Sequence, residues 1–273
     1  MSQLSRLRDE LQVKPGTKVD LSKIDPGDGH GWQKADAAKA TDEQMARLSD
    51  LQDRFWAEAK RSVLVVLQGI DAAGKDGTIQ KVMEAFNPQG CVVAGFRVPS
   101  PEEMAHDYLW RIHKVVPGKG VIGIFNRSHY EDVLVVRVHN FVPRSVWSKR
   151  YREINDFERL LTDNGTKIVK FFLDISKDEQ RKRIQARYDD PKKRWKFSLG
   201  DLAERKLWDD YMAAYEDALS KTSTDYAPWY VIPADHNWMR NLAVSTILAE
   251  TIDELKPAYP PAADDIPPNL KVE

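Results

Sequence analysis

Residues Arg61 to Thr78 read RSVLVVLQGIDAAGKDGT. The stretch opens with an unbroken apolar run, Val63 to Leu67, and breaks into the glycine-bearing loop Gly69–Gly77. A helix-period pattern follows. Strand, glycine loop, lysine and helix in that order form a phosphate-cradling P-loop: backbone N–H groups and a helix N-terminus face an anion, and the lysine adds a point charge. The expected phosphate contacts are Gly69, Ala72, Ala73, Gly74, Lys75, Asp76 and Gly77, with Lys81 one turn further on. A tight turn carrying a surface lysine is the plain alternative. The strand before the loop and the helix after it favour the phosphate site. The GxxxxGK pattern is complete, but Asp76 stands where a Ser or Thr usually holds Mg²⁺. Asp71 lies inside the loop, where a carboxylate would repel bare phosphate. It makes sense as a residue linked to Mg²⁺, which takes one or two carboxylates plus phosphates and water.

Outward from the loop, strands and helices alternate. A helix is expected from Thr41, with Met45, Leu48, Leu51 and Phe55 at helical spacing. After the loop, Ile79, Val82, Met83 and Phe86 share one face, and Asn87-Pro88 ends that helix. Cys91–Phe96 reads as a strand. Ser100-Pro101-Glu102-Glu103 is a helix start, continued by Met104, Tyr108, Leu109 and Ile112. Val121–Phe125, Lys167–Ile175 and Trp229–Pro233 read as further strands. Arg144–Asp163, Leu199–Leu219 and Trp238–Leu255 read as helices. Five near-continuous apolar strands separated by helices imply an α/β fold with a five-stranded parallel sheet, helices on both faces, and ligands at the carboxyl ends of the strands. The expected division is an N-terminal arm over 1–40, extended apart from a short helix near Leu4–Leu11, and a P-loop domain over 41–257. A helical lid is expected near 178–200 and a Pro-rich tail over 258–273.

The chain has 273 residues, 42% hydrophobic and 30% charged, with a net charge of −1. That composition supports a sizeable core and gives no overall pull toward nucleic acid or acidic membrane. The single cysteine excludes an internal disulfide and a Cys-cluster zinc site, and fits a reducing compartment. The first residues lack the apolar segment of a secretory signal, and no run is long enough to span a bilayer. A cytoplasmic protein is expected.

The strand Val121–Phe125 ends at Asn126, where nucleotide-hydrolysing relatives of such folds often place an aspartate. Arg127 follows, aimed at the phosphates. Glu131 and Asp132 could supply the missing acidic charge, or simply favour a helix start. Arg181, Lys182, Arg183, Arg187, Lys192, Lys193, Arg194 and Lys196 crowd one short segment of a neutral chain, which reads as a lid over the P-loop. Trp195 among them is expected to pack on the lid's own body. His129 is as well explained by a structural hydrogen bond as by a phosphate contact, and the Trp and Tyr residues after Trp208 are expected in the core.

Four blocks carry a resemblance: GIDAAGKDGT, IFNRSHYEDVLVVRV, DDPKKRWKFS and APWYVIPADHNWMRN. Together, over residues 40–257, they resemble the polyphosphate kinase 2 family, and EDVLVVRV resembles its class III. The resemblance implies a thymidylate-kinase-like P-loop fold. It also implies reversible phosphoryl transfer between inorganic polyphosphate and adenine or guanine nucleotides, with Mg²⁺ or Mn²⁺, in a homo-oligomer with neither nucleic acid nor membrane as partner. Class III members act on both mono- and diphosphates. On these residues it implies Asp71 as the metal-linked carboxylate, and Lys75, Arg127 and Arg194 as the other catalytic groups. Lys193 and Lys196 would join Arg194 in the lid, with Glu131 and Asp132 on the acceptor side. Other subgroups carry Asp-Arg where this chain has Asn126-Arg127, and Asn where it has Glu131. Arg111 and Lys114 are further candidates for a basic track. The residues alone leave open an ATP-dependent nucleotide kinase or a nucleotide-dependent binding switch.

Overall fold

The structure is a computed structural model that describes residues 3–263. Its centre is a sheet whose strands are β1 (Gln12–Val13), β2 (Ser62–Gln68), β3 (Cys91–Gly95), β4 (Ile122–Asn126), β5 (Thr166–Asp174) and β6 (Trp229–Pro233). The spatial order is β1-β6-β5-β2-β4-β3. Every pairing is parallel except β1 with β6, where Gln12 faces Tyr230. The sheet therefore has six strands rather than the expected five. The sixth is two residues long, and its partner is more than two hundred positions away, so no local pattern announces it.

β2 sits in the middle. Val63 to Leu67 are each 2% exposed or less, because β4 and β5 flank the strand and helices cover both faces. A continuous apolar run is what that position demands. One face packs against helices Gln3–Leu11, Lys34–Glu58, Lys75–Met83 and Asn237–Asp253, and the other against Arg144–Asp163 and Trp208–Thr222. Each fully buried Val or Leu contributes about 1.5–3 kcal/mol, so this layered core is the main source of stability.

The first forty residues are less extended than expected. Leu7 and Leu11 lie in the core, and Arg8 Nε donates to the Tyr230 hydroxyl at 3.2 Å. The helix expected from Thr41 already begins at Lys34. The helix expected from Ser100 is two single turns, Pro101–Met104 and Trp110–His113. The Ser100–Glu103 capping box starts the first turn as predicted. Asp107 Oδ1 then accepts from the N–H groups of Leu109 and Trp110 and starts a second turn. Met104 is consequently 72% exposed, and of the expected stripe only Ile112 is buried. Helix Arg144–Asp163 matches expectation, burying Trp147, Tyr151, Ile154, Phe157 and Leu161. Trp208, Tyr215, Trp229 and Tyr230 are in the core. No helix among the described residues is long and apolar enough to cross a membrane.

The chain leaves β2 toward β3 on one side and later reaches β5 on the other. The carboxyl end of β2 is thus a switch point, where an open α/β sheet leaves a crevice for ligand.

Candidate active site

The loop after β2 occupies that crevice and is built by close approach. Gly69 (φ +156°) passes so near β5 that a Cβ would lie 2.9 Å from the Leu173 carbonyl. Gly74 (φ +106°) precedes helix Lys75–Met83, and a Cβ there would lie 2.1 Å from Arg240 Nη1. Lys75 is buried and folds back over the loop, its Nζ donating to the carbonyls of Gly69 at 2.6 Å and Ile70 at 3.3 Å. Burial, and then the positive Arg127, pull its pKa down to about 8.

Arg127 follows β4 in the left-handed region (φ +63°), a strained conformation for this residue that costs on the order of 1–3 kcal/mol. Its N–H is held by the Leu67 carbonyl at 3.1 Å. The guanidinium donates to Asp71 Oδ1 at 2.6 Å and Glu131 Oε2 at 3.1 Å. Burial opposes its charge, but Glu131 and Asp71 outweigh burial and hold the pKa above the usual arginine value. Asn126 Nδ2 donates to Asp76 Oδ1 at 2.9 Å, and Lys196 Nζ lies 3.9 Å from the same carboxylate.

These groups line a cleft of about 720 Å³ with Arg183, Arg187, Lys193, Asn237 and Arg240. Of the candidates named from sequence, the cleft joins Asp71, Ala72, Gly74, Lys75, Asp76, Gly77, Arg127, Lys193 and Lys196. Glu131 touches it through Arg127. Others lie elsewhere. Lys81 pairs with Glu84 at 2.9 Å. Arg194 donates to the Tyr188 carbonyl at 2.8 Å and lies over that ring. Arg111 is buried and donates to the Arg97 carbonyl at 2.8 Å, and Lys114 sits over Trp110. Trp195, expected to pack, is 78% exposed with Lys196 over its ring. His129 makes a structural bond, to Glu158 at 3.1 Å.

Two cations were not singled out. Arg183 was one of a run, yet it staples the loop: it donates to the carbonyls of Ala72 and Ala73 at 3.1 Å, Ala234 at 2.6 Å and Asp235 at 3.0 Å. Arg240 is 4% exposed, bonded to Asn237 and Asn241, and burial followed by Arg183 pulls its pKa down to about 10. The signal for Arg240 is its place in the PADHNWMRN segment, in the first turn of a helix that is otherwise largely apolar.

A second, more apolar cleft of about 990 Å³ adjoins the first, lined by Val98, Tyr108, Asp132, Val136, Phe141 and Arg150 among others. Asp132 accepts from Arg150 at 3.0 Å, and burial outweighs Arg150 and Arg111 to push its pKa up to about 6.

Among the described residues no three His, Cys, Asp or Glu side chains are grouped to hold a metal. A divalent ion held mainly by substrate phosphates needs fewer. Asp71, a carboxylate on the cleft wall, fits such an ion, which keeps several waters and takes one or two protein oxygens.

A P-loop with a buried lysine, a strained arginine at the neighbouring strand end and a basic segment across the cleft define a P-loop phosphotransferase. The chain belongs to the polyphosphate kinase 2 family, whose sequence model matches residues 31–260. It is 56% identical over 253 residues to an AMP/ADP-polyphosphate phosphotransferase of Meiothermus ruber, covering 92% of this chain and 95% of that one. It is 49% identical to an ADP-polyphosphate phosphotransferase of Rhodopseudomonas palustris, covering 92% and 91%. The crystal structure of polyphosphate kinase 2 from Arthrobacter aurescens is similar with a TM-score of 0.91, at 45% identity and covering 97% and 94%.

Proposed function

We propose that this protein is a polyphosphate-dependent nucleotide kinase that transfers a phosphoryl group reversibly between inorganic polyphosphate and AMP or ADP. The observation that carries the reading is the cleft lining: Lys75, Arg127, Arg183, Arg187, Lys193, Lys196 and Arg240 face three carboxylates, Asp71, Asp76 and Glu179. So large an excess of positive charge along one trough suits a chain-like polyanion better than a lone nucleotide. The names of the relatives support the same donor and acceptors.

In this reading the terminal P–O bond of polyphosphate breaks as an acceptor phosphate oxygen attacks in line. Making ATP from ADP exchanges one phosphoanhydride for another, so the equilibrium is set by concentrations. The nucleophile is already an anionic oxygen, and no strong general base is required. Lys75 and Arg127 hold the equatorial oxygens of the transferring group, and electrostatic positioning supplies the rate. Asp71 would hold a Mg²⁺ or Mn²⁺ ion, which would supply neutralisation of phosphate charge. Lys193, Arg194 and Lys196 belong to a lid that closes on the donor. Arg194 would turn from Tyr188 to the phosphates. Glu131 and Asp132 mark the acceptor side. The second cleft suits the nucleoside, because Arg97 and Val98 are chain neighbours lining one cleft each. Self-association into a homo-oligomer belongs to the same proposal, and light scattering tests it.

The test is an acceptor panel. Purified protein with Mg²⁺ and polyphosphate is offered AMP, ADP, GMP and GDP in turn, without any nucleoside triphosphate. Phosphorylation of AMP and ADP is expected. No transfer in this panel, with transfer appearing when ATP replaces polyphosphate, would replace this reading by an ATP-dependent kinase.

A further inference from the structure

Behind the Arg127–Asp132 turn lies a set of polar side chains that the phosphate cleft does not use. Lys170 of β5, Glu158 of helix Arg144–Asp163, and His129 and Tyr130 of the turn are all 0% exposed. Lys170 Nζ donates to Glu158 Oε2 at 2.6 Å, the Tyr130 hydroxyl at 2.8 Å and the Thr222 carbonyl at 2.7 Å. Three protons meet three acceptors. Glu158 Oε1 in turn accepts from the Tyr130 hydroxyl at 2.9 Å and from His129 Nε2 at 3.1 Å. His129 Nδ1 is buried with no partner. The ring's Nε2 carries the hydrogen that Glu158 Oε1 accepts. The Lys170 ammonium faces the Glu158 carboxylate directly.

Stability alone is a poor reason for this cluster. Lys170 interrupts a strand whose neighbours Ile168, Val169, Phe171 and Phe172 are apolar and buried. A buried ion pair is often no more stabilising than apolar side chains of the same volume. What the pair does have is direction. Its bonds end on His129 and Tyr130, consecutive residues between Arg127 and Glu131. Ser128 Oγ is fixed as well, accepting from the Tyr130 N–H at 3.2 Å and Gln68 Nε2 at 3.1 Å. The turn so clamped begins at the left-handed Arg127, whose guanidinium meets Glu131 at 3.1 Å.

We propose that the buried Glu158–Lys170 pair is a positioning device: through His129 and Tyr130 it holds Arg127 and Glu131 in the orientation that phosphoryl transfer requires. The proposal rests on the kinase reading above. Glu158 and Lys170 touch no substrate; they act through the turn.

The experiment uses the full chain with Mg²⁺, polyphosphate and ADP. Two variants are made: Tyr130→Phe, which removes one oxygen, and the double variant Glu158→Leu with Lys170→Met, which removes both charges together. Each is also combined with Glu131→Gln. Cooperative melting is expected to persist, with KM for polyphosphate within about twofold and kcat down about 10- to 100-fold, the scale of a misplaced catalytic group. Glu131→Gln should cost far less in these backgrounds than in the wild type, because the carboxylate is already out of register. Unchanged kcat per folded molecule, or full additivity with Glu131→Gln, would overturn the proposal. If the double variant does not fold, Tyr130→Phe decides. A wild-type protein that makes no ATP overturns the kinase reading and this proposal with it. An active wild type with unaffected variants overturns this proposal alone.

Discussion

The loop after β2 and the basic segment across from it both offer positive charge to the cleft, but they hold it in opposite ways. In the loop, the charge is fixed by burial. Lys75 is tied to two carbonyls, Arg183 staples four more, and Arg240 fills the space that the missing Cβ of Gly74 leaves. In the segment Lys192–Lys196 the side chains are exposed and held by weak surface pairs, Lys193 to Asp190 at 3.1 Å and Lys196 to Asp76 at 3.9 Å. Pairs of this kind contribute roughly 0–1 kcal/mol, so a polyanion can displace them at little cost. Under the proposed function this is a division of labour: the loop would be organised before substrate arrives, and the segment would exchange its partners for substrate. Mutations should therefore damage turnover on the loop side and donor affinity on the lid side.

Removing the loop's charge should have the largest effect. Lys75→Ala is expected to lower kcat at least about 100-fold with circular dichroism unchanged. Equal turnover would take the loop out of the chemistry. Gly74→Ala comes next, because its φ of +106° disfavours any side chain and its Cβ meets Arg240. It should cost about 1–3 kcal/mol of stability, seen by denaturant titration, and lower kcat in the molecules that remain folded. Replacing Lys193, Arg194 and Lys196 together by Ala should leave Tm nearly unchanged. It should raise KM for polyphosphate roughly tenfold, about 1.4 kcal/mol, and flatten its salt dependence. A fall in kcat without a change in KM would erase the contrast between the two halves.

The smallest effect concerns Asp174, at the end of β5 behind the loop. Burial, then Asp235, push its carboxyl up to about 7, and its Oδ2 has no hydrogen-bond partner. The folded chain therefore keeps a proton that the unfolded chain releases above about pH 4. The resulting stability is complete below that pH and is lost as pH rises through 7. Asp174→Asn should raise Tm by several degrees at pH 8 and change it little at pH 5, by calorimetry at both.

Much of this molecule is legible in the chain because its central strands β2, β5 and β6 are buried on both faces. Val63–Leu67 and Lys167–Ile175 announce themselves as apolar runs, and the glycines of the loop mark its close contacts. What escapes is set by distant packing. β1 exists through its pairing with β6, and Asp107 breaks a helix by capping a new one. The burial of Arg240 follows from a glycine 166 positions earlier (Gly74). Two clues to the buried ion pair do stand in the sequence. Glu158 occupies a core position on the stripe between Ile154 and Leu161, and Lys170 lies inside an apolar strand. Neither reveals its partner until the fold joins them. On the site side, the loop and Arg127 were readable from motif order. Arg194 facing Tyr188 and Trp195 facing solvent were not, because exposed side chains on a polar segment carry no packing pattern.

The most direct measurement of the account is ATP formation from ADP, Mg²⁺ and polyphosphate by the purified wild-type protein, followed in the absence of any other phosphoryl donor and compared with Lys75→Ala. Sustained ATP production by the wild type, lost in the variant, is the predicted result. No ATP from the wild type, or equal ATP from both proteins, would contradict it.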